Sequence, residues 1–195
     1  MNNQNLTQIR DDILTAALPD IAFDGWNWDT IERAAEQSDH NANTAFPNKV
    51  IDALDHFADL ADREMLNALE ETPAETLRIR DRVQTALMAR YTFLFEHQEA
   101  FRASLKFWLN PIRKPRAAKI TWRTADAIWD WAGDTATDYN RYTKRGLLSG
   151  IIASSALVFV NDCDDSLPKT HDFIEKHIEN VMKIGKFTAK FKRKA

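Results

Sequence analysis

The stretch Val50-Ile-Asp-Ala-Leu-Asp-His-Phe-Ala-Asp-Leu-Ala61 decides the fold class, because its apolar residues keep to one face of a helix. Val50, Leu54, Phe57 and Leu60 follow one another at steps of four, three and three residues, and Ala61 continues the same face. Aspartates recur on the other side. This spacing is typical of an amphipathic α-helix that buries one face in a core.

The same helical spacing returns along the rest of the chain, in pieces that prolines separate. It predicts a first helix that stops near Pro19, and one long or two abutting helices over residues 76–109. Three more helices are predicted over about residues 122–131, 142–160 and 169–190. Strand-like alternation does not occur, so the sequence predicts an all-α domain of about nine helices.

Composition and charge exclude several classes of protein. The 195 residues are 44% hydrophobic with a net charge of −3, which excludes a disordered or collagen-like chain. The single cysteine, Cys163, excludes an internal disulfide and a multi-cysteine metal site. Charge is distributed unevenly, since residues 1–75 carry −12 and residues 76–195 carry +9. The first residues contain neither a basic nor an apolar leader, so the sequence predicts a protein of the cytosol.

The first sixty residues contain a helix ending at Ala17, the turn Phe23-Asp-Gly25, a short helix Ile31-Glu-Arg-Ala-Ala35 and the stretch Ala45-Phe-Pro-Asn48. This order resembles the three N-terminal helices of TetR-type repressors. The resemblance implies a TetR-like fold and, as an alternative function, a ligand-responsive transcriptional regulator. DNA affinity depends on cations, yet the segment at the place of the recognition helix, residues 39–46, contains no Lys or Arg. We therefore expect no binding of nucleic acid.

The most distinctive segment is Ala132-Gly-Asp-Thr-Ala-Thr-Asp-Tyr-Asn-Arg-Tyr-Thr-Lys-Arg-Gly-Leu-Leu148. Two further stretches follow it, Asn161-Asp-Cys-Asp-Asp165 and Glu175-Lys-His-Ile-Glu-Asn-Val-Met182. Together they resemble the signature of the Coq-nine family, which are accessory proteins of ubiquinone biosynthesis. The signature covers about a quarter of the chain, and the TetR-like first half agrees with it.

The resemblance implies a dimeric, non-enzymatic protein that binds prenylated lipids or quinone intermediates and presents them to the demethoxyubiquinone hydroxylase. Residues 1–70 would be a degenerate TetR-like three-helix region, and residues 71–195 a helical region for lipid binding and dimerisation. The implied location is peripheral, on the cytoplasmic side of the bacterial inner membrane or on the mitochondrial matrix side in a eukaryote.

The partner surface implied by the resemblance lies on the helix that starts in the signature. It consists of Asp138, Asn140, Arg141, Tyr142, Thr143 and Arg145. Where relatives often carry an aromatic residue, this chain has Arg141. A purely structural role, in which Tyr142 and Arg145 brace a buried helix, stays open as the alternative.

Ten apolar side chains are candidates for lining a lipid slot. They are Leu87, Tyr91, Leu94, Phe95, Phe101, Leu105, Trp108, Leu148, Ile151 and Ile152. An isoprenoid tail needs a long, dry slot without unpaired polar groups. Helical spacing alone does not distinguish such a slot from a filled core, so both interpretations stay open.

The C-terminal stretch combines cations with apolar residues at helical spacing, which predicts reversible docking at an anionic membrane surface. The candidate membrane-binding residues are Lys183, Ile184, Lys186, Phe187, Lys190 and Phe191. A solvated tail is the alternative.

Arrangements typical of catalysis do not occur. A di-iron carboxylate centre needs Glu-x-x-His pairs, but none of the five histidines has Glu three residues before it; they are His40, His56, His97, His171 and His177. Glycine-rich phosphate loops and nucleophile motifs are also absent from the sequence. The sequence therefore predicts a protein that is not an enzyme and that holds neither a cofactor nor a metal.

Overall fold

The structure, a computed structural model, describes residues 3–137 and 139–192, with side chains described as far as residue 183. In this part of the chain all regular structure is helical, which confirms the predicted all-α class. The nine α-helices are α1 (Asn3–Asp24), α2 (Trp28–Gln37), α3 (Ala42–Ala45), α4 (Val50–Ala68), α5 (Ile79–Glu96), α6 (Gln98–Trp108), α7 (Lys114–Trp131), α8 (Tyr139–Phe159) and α9 (Pro168–Lys192). Among the described helices, none combines the length and the apolar character needed to span a membrane.

The chain divides into two compact units, and each is built from two separate segments. The first unit comprises residues 1–64 and 93–120, and the second comprises residues 65–92 and 121–195. Residues 93–120 therefore belong with the N-terminal helices, whereas the sequence prediction placed them in the C-terminal region.

Helix α1 forms the centre of the first unit, where it packs against α2, α3 and α6. It continues through Pro19, although the sequence predicted an end there. An interior proline costs about 3 kcal/mol, but five side chains around it are buried and offset that cost: Ile13, Leu14, Ala17, Leu18 and Ile21. The helix ends at Gly25, whose φ of +73° suits glycine and whose N–H donates to Ile21 O at 2.9 Å.

Helix α7 starts earlier than the sequence predicted, at Lys114 rather than near Trp122. Pro115 is its second residue, a position where the missing N–H has no acceptor within the helix. Prolines thus mark a helix start here and a helix interior in α1, so neither terminates a helix.

The segment predicted to correspond to a recognition helix forms a single turn, α3. The Asn41 side chain caps it by accepting from Thr44 N at 2.9 Å. The Asn43 side chain accepts from Lys49 Nζ at 2.6 Å. Both amide side chains are therefore engaged within the protein rather than directed at a ligand.

A titratable side chain, that of His56, is buried beside α1 in the first unit. His56 Nε2 lies 2.7 Å from Asp11 Oδ1, and Arg63 donates to both oxygens of the same carboxylate at 2.6 and 3.0 Å. Burial lowers the pKa of His56 below its usual 6.5, against the opposing hydrogen bond to Asp11. His56 is therefore neutral in the folded protein at neutral pH.

We expect stability to fall as the pH is lowered below about 6.5 because of His56. The unfolded chain takes up the proton first, so the contribution of the neutral side chain is complete above pH 6.5 and is lost toward the lower folded pKa. Urea unfolding at pH 7.5 and 5.5 measures this loss. His56→Gln should lose less stability over this interval than the parent chain, and an equal loss would refute the assignment.

In the second unit α8 packs against α9, as the predicted buried faces of both helices require. Leu148, Ile152 and Phe159 of α8 and Ile174 of α9 are buried there. The Asp162 side chain, which precedes α9, accepts from Thr170 N and Oγ1 in the first turn of that helix at 2.8 and 2.9 Å. These contacts fix the two helices that carry the site described next.

Candidate functional site

An apolar cleft of about 160 Å³ lies in the second unit, between α5, α7, α8 and α9. Helical spacing explains its wall, since α8 and α9 each present residues three or four positions apart to the same space. Two charged residues, Arg80 and Lys144, also line it. Its apolar lining consists of Ile79, Val83, Trp129, Leu147, Leu148, Ile151, Ile178, Val181 and Met182.

The cleft has a buried floor and an open mouth. Val83, Leu148 and Ile151 are buried at its base. At its rim, the side chains of Leu147 and Met182 are 45% and 42% exposed, so two large apolar side chains border the mouth of the cleft. Among the described residues, the cleft is therefore open to solvent at this rim.

The volume limits what the cleft can hold. Cavities of about 150 Å³ bind a benzene-sized group, and pockets for larger ligands measure about 300–1,000 Å³. At about 160 Å³, the cleft accommodates one such apolar group. The rest of a long tail would have to lie beyond the rim.

The two cations on the wall are paired. Lys144 Nζ lies 2.6 Å from Asp134 Oδ1 and 5.3 Å from the centre of the Trp129 ring. Arg80 Nε lies 3.2 Å from Asp81 Oδ1. The wall is therefore apolar with neutralised charges at its edge, which suits a hydrocarbon better than a free anion.

A charged clamp joins α8 to α7 beside the cleft. It consists of Arg145, whose side chain is completely buried, and of Asp126, Asp130 and Asp134. Arg145 Nη2 donates to Asp130 and Nη1 to Asp134, both at 2.9 Å, and Nε donates to Asp126. The three carboxylates follow one another at intervals of four residues, so they lie along one side of α7 and its end.

The clamp is electrically balanced by two further cations. Arg141 Nη2 donates to Asp126 at 2.8 Å, and Lys144 donates to Asp134. Burial alone would raise the pKa of Asp134, but hydrogen bonds from Lys144 and Arg145 outweigh it and hold that pKa below its usual value. Asp134 is therefore ionised at neutral pH, as a buried partner of a guanidinium must be.

The helices that carry the clamp and most of the cleft lie within a segment that matches a family model. Residues 114–185 match the family model named COQ9. Most of the chain is also similar to proteins named "Ubiquinone biosynthesis protein COQ9, mitochondrial". That of Xenopus tropicalis is 28% identical over 187 residues, which are 91% of this chain and 59% of the relative. The protein of Rattus norvegicus is 28% identical with coverages of 91% and 60%, and that of Homo sapiens 27% with 91% and 59%.

The chain resembles COQ9 proteins over most of its length. The resemblance to the Coq-nine family that the signature indicated is thereby confirmed. The chain spans about three-fifths of the length of the curated COQ9 proteins it matches.

The fold of this chain is also found in a solved structure. The crystal structure of a TetR transcriptional regulator from Nitrosomonas europaea superposes with a TM-score of 0.69 at 17% identity. The match covers 88% of this chain and 97% of the regulator. This confirms the predicted TetR-like fold, and at this identity it concerns the fold alone.

The ten predicted lipid-binding residues are divided between the two units. Leu87, Tyr91, Leu148, Ile151 and Ile152 lie in the second, and of these Leu148 and Ile151 line the cleft. Leu94, Phe95, Phe101, Leu105 and Trp108 lie in the first. There Phe95 borders a separate hollow of about 640 Å³, whose wall combines apolar residues with charged or titratable ones; the latter are Glu64, Glu96, His97 and Glu99.

Tyr91 is part of a filled core behind the cleft. Its hydroxyl lies 2.7 Å from Ser155 Oγ and donates to Ile152 O at 3.3 Å, and its ring centre is 4.7 Å from that of Phe159. Burial raises the pKa of Tyr91 to about 12. The hydroxyl is satisfied within the unit, so Tyr91 and Ile152 support the cleft from behind.

The predicted partner surface separates into an anchor and an outward face. Arg145 is buried in the clamp, and Arg141 is half-buried on Asp126. Asn140, Tyr142 and Thr143 are exposed, with the Tyr142 ring centre 6.3 Å from that of Trp122. Tyr139, which the sequence reasoning did not include, is 80% exposed on the same helix. Asp138 lies outside the described residues.

Of the predicted membrane-binding residues, Lys183 is exposed on α9 and lies 3.6 Å from Glu179. The side chains of the others lie outside the described residues: Ile184, Lys186, Phe187, Lys190 and Phe191.

Proposed function

We propose that this chain is a non-enzymatic accessory protein of ubiquinone biosynthesis that binds a prenylated quinone intermediate and presents it to the demethoxyubiquinone hydroxylase. The observation that carries the proposal is the open apolar cleft, whose α7, α8 and α9 walls lie within the COQ9-matched segment. The names of the relatives support the pathway.

The cleft offers a prenyl chain a dry end-pocket. Each buried CH₂ contributes about 0.8 kcal/mol, so enclosing one five-carbon unit contributes about 4 kcal/mol. Val83 and Ile151 at the floor present only carbon to it. The polar head group would remain outside, beyond the exposed rim of Leu147 and Met182, where a second protein can reach it.

The same arrangement argues for binding rather than catalysis. Among the described residues, the cleft wall contains no His, Cys or carboxylate that could act as a nucleophile or a general base. Arg80 and Lys144 are held in ion pairs. The cleft therefore shelters the chain of the lipid and leaves the chemistry to the partner.

The partner surface follows from the clamp. Arg145 fixes α8 on α7, and this holds Asn140, Tyr142 and Thr143 outward in a constant arrangement. An exposed Tyr beside constant polar groups is typical of contact surfaces between proteins. We assign this face to the hydroxylase, the basic C-terminal stretch to the anionic membrane surface, and the homodimer to the C-terminal region.

Lipid extraction from the purified chain, followed by mass spectrometry, tests the proposal. We expect a prenyl lipid or a quinone intermediate to co-purify in a ratio to protein that rises when the quinone pathway is active. Ordinary phospholipid without any prenylated species would contradict it.

A ligand-responsive regulator is the alternative that the TetR-like fold leaves open. The turn α3 contains no cation, and its Asn41 and Asn43 side chains are occupied within the protein. Titration with duplex DNA at increasing salt separates the two functions: a regulator binds with a steep salt dependence, and the accessory protein does not bind.

A further inference from the structure

The connection between α6 and α7 in the first unit presents two large apolar side chains to solvent. Leu109 is 64% exposed and Ile112 is 88% exposed. They lie three residues apart, Leu109 before the short 3₁₀ turn Pro111–Arg113 and Ile112 within it. We call residues 109–114 the α6–α7 turn.

The turn is held in this conformation by contacts within the first unit. The Arg113 guanidinium lies 3.6 Å from the centre of the Phe107 ring, and its Nη1 donates to Phe107 O at 3.2 Å. The Asn110 side chain accepts from Ile112 N at 3.1 Å. Ile112 is therefore fixed outward and is not a side chain that folds back onto the core.

Three exposed lysines without acidic partners in the described part of the chain lie close in sequence to these apolar side chains. Residues 100–120 contain six Lys or Arg and no Asp or Glu. Arg116 is neutralised by Asp52 and Asp55 at 2.9 Å each. Lys106, Lys114 and Lys119 are exposed, and they form no ion pair with the described residues.

We propose that the α6–α7 turn inserts Leu109 and Ile112 into the headgroup region of an anionic bilayer, with Lys106, Lys114 and Lys119 on the lipid phosphates. An anionic bilayer surface can bury exposed apolar side chains and bind cations at the same time. Duplex DNA would neutralise the lysines but leave Ile112 in water. The contact is separate from the C-terminal stretch and from the lipid that the cleft would carry.

Phe23 provides a matched control within the same unit. Its side chain is 92% exposed, as much as that of Ile112. Its neighbours along α1 are Asp20 and Asp24, which share Arg33. An acidic surrounding is repelled by anionic lipid, so exposure alone does not place Phe23 in a membrane.

A fluorophore at the turn tests the proposal in the full chain. The exposed Cys163 is first replaced by Ser, and single cysteines are introduced by Ile112→Cys or Phe23→Cys and labelled with an environment-sensitive dye. Vesicles of phosphatidylcholine and phosphatidylglycerol at about 3:1 should shift the emission of the Ile112 label to the blue, and vesicles of pure phosphatidylcholine should shift it much less. The Phe23 label should not respond.

Binding measurements complete the test. Leu109→Ser with Ile112→Ser should lower partitioning onto the anionic vesicles about tenfold, and Phe23→Ser should leave it unchanged. A chain that sediments with vesicles while the Ile112 label stays unchanged would overturn the inference and leave the proposed function standing, since the C-terminal stretch then docks alone. A response of the label to duplex DNA rather than vesicles, or to protein concentration without vesicles, would also overturn it.

Discussion

Arg145→Met should destabilise the chain by about 3–5 kcal/mol, a large share of a typical folding free energy. Methionine keeps much of the side-chain volume but removes the charge that faces three carboxylates. Asp134, whose side chain is 4% exposed, then keeps Lys144 as its partner in an ion pair that is half in solvent. Urea unfolding monitored by tryptophan fluorescence measures the change.

Arg141→Met is the matched control. Arg141 lies on the same helix and binds the same Asp126, but its side chain is partly exposed. Its loss should cost about 1 kcal/mol or less. Adding Asp134→Asn to Arg145→Met should recover part of the stability, since it removes a buried carboxylate that then has only one of its two cationic partners. Equal effects of the two arginine substitutions would show that Arg145 does not act as the anchor.

Leu147→Asp should weaken binding of a prenyl lipid more than tenfold without unfolding the chain. Leu147 is half-exposed at the mouth of the cleft, so a carboxylate there must be desolvated when hydrocarbon enters. Stability should change little, because the new charge faces water while the cleft is empty. Titration with a fluorescent short-chain prenyl lipid measures the affinity.

Leu157→Asp carries the same substitution on the same helix, at a leucine that is 57% exposed and does not line the cleft. It should bind the prenyl lipid like the parent chain. Loss of binding in both variants would mean that charge on α8, rather than the cleft mouth, is responsible, and the cleft would then no longer be the binding site.

Periodicity predicted the elements whose buried face is continuous. Helices α8 and α9 begin and end within a few residues of the prediction, because apolar residues recur along their whole length. The prolines were less informative. Pro19 lies where surrounding burial outweighs its cost, and Pro115 lies where a helix tolerates it, and neither circumstance can be read from the local sequence.

The sequence predicted only part of the candidate site, because contacts between helices are not visible in the spacing of a single helix. Leu148 and Ile151 were predicted as candidate lining residues, but Val83, Trp129 and Ile178 were not among the candidates, because the pairing of helices cannot be read from one helix alone. A pattern in the sequence could have predicted the burial of Arg145. Asp126, Asp130 and Asp134 repeat every four residues, so they lie on one side of a helix, where one cation can pair with all three. A lone arginine in a motif gave no such indication.

The chain thus uses charge in two regimes. The guanidinium of Arg145 is sealed from solvent, where dissolved ions screen little, whereas Lys106, Lys114 and Lys119 project into water, where screening is strong above roughly 0.1 M ionic strength. High salt therefore weakens the electrostatic attraction between these lysines and an acidic surface, while the α7–α8 junction persists. High salt should therefore reverse the proposed contact of the α6–α7 turn with a membrane and leave the clamp unchanged.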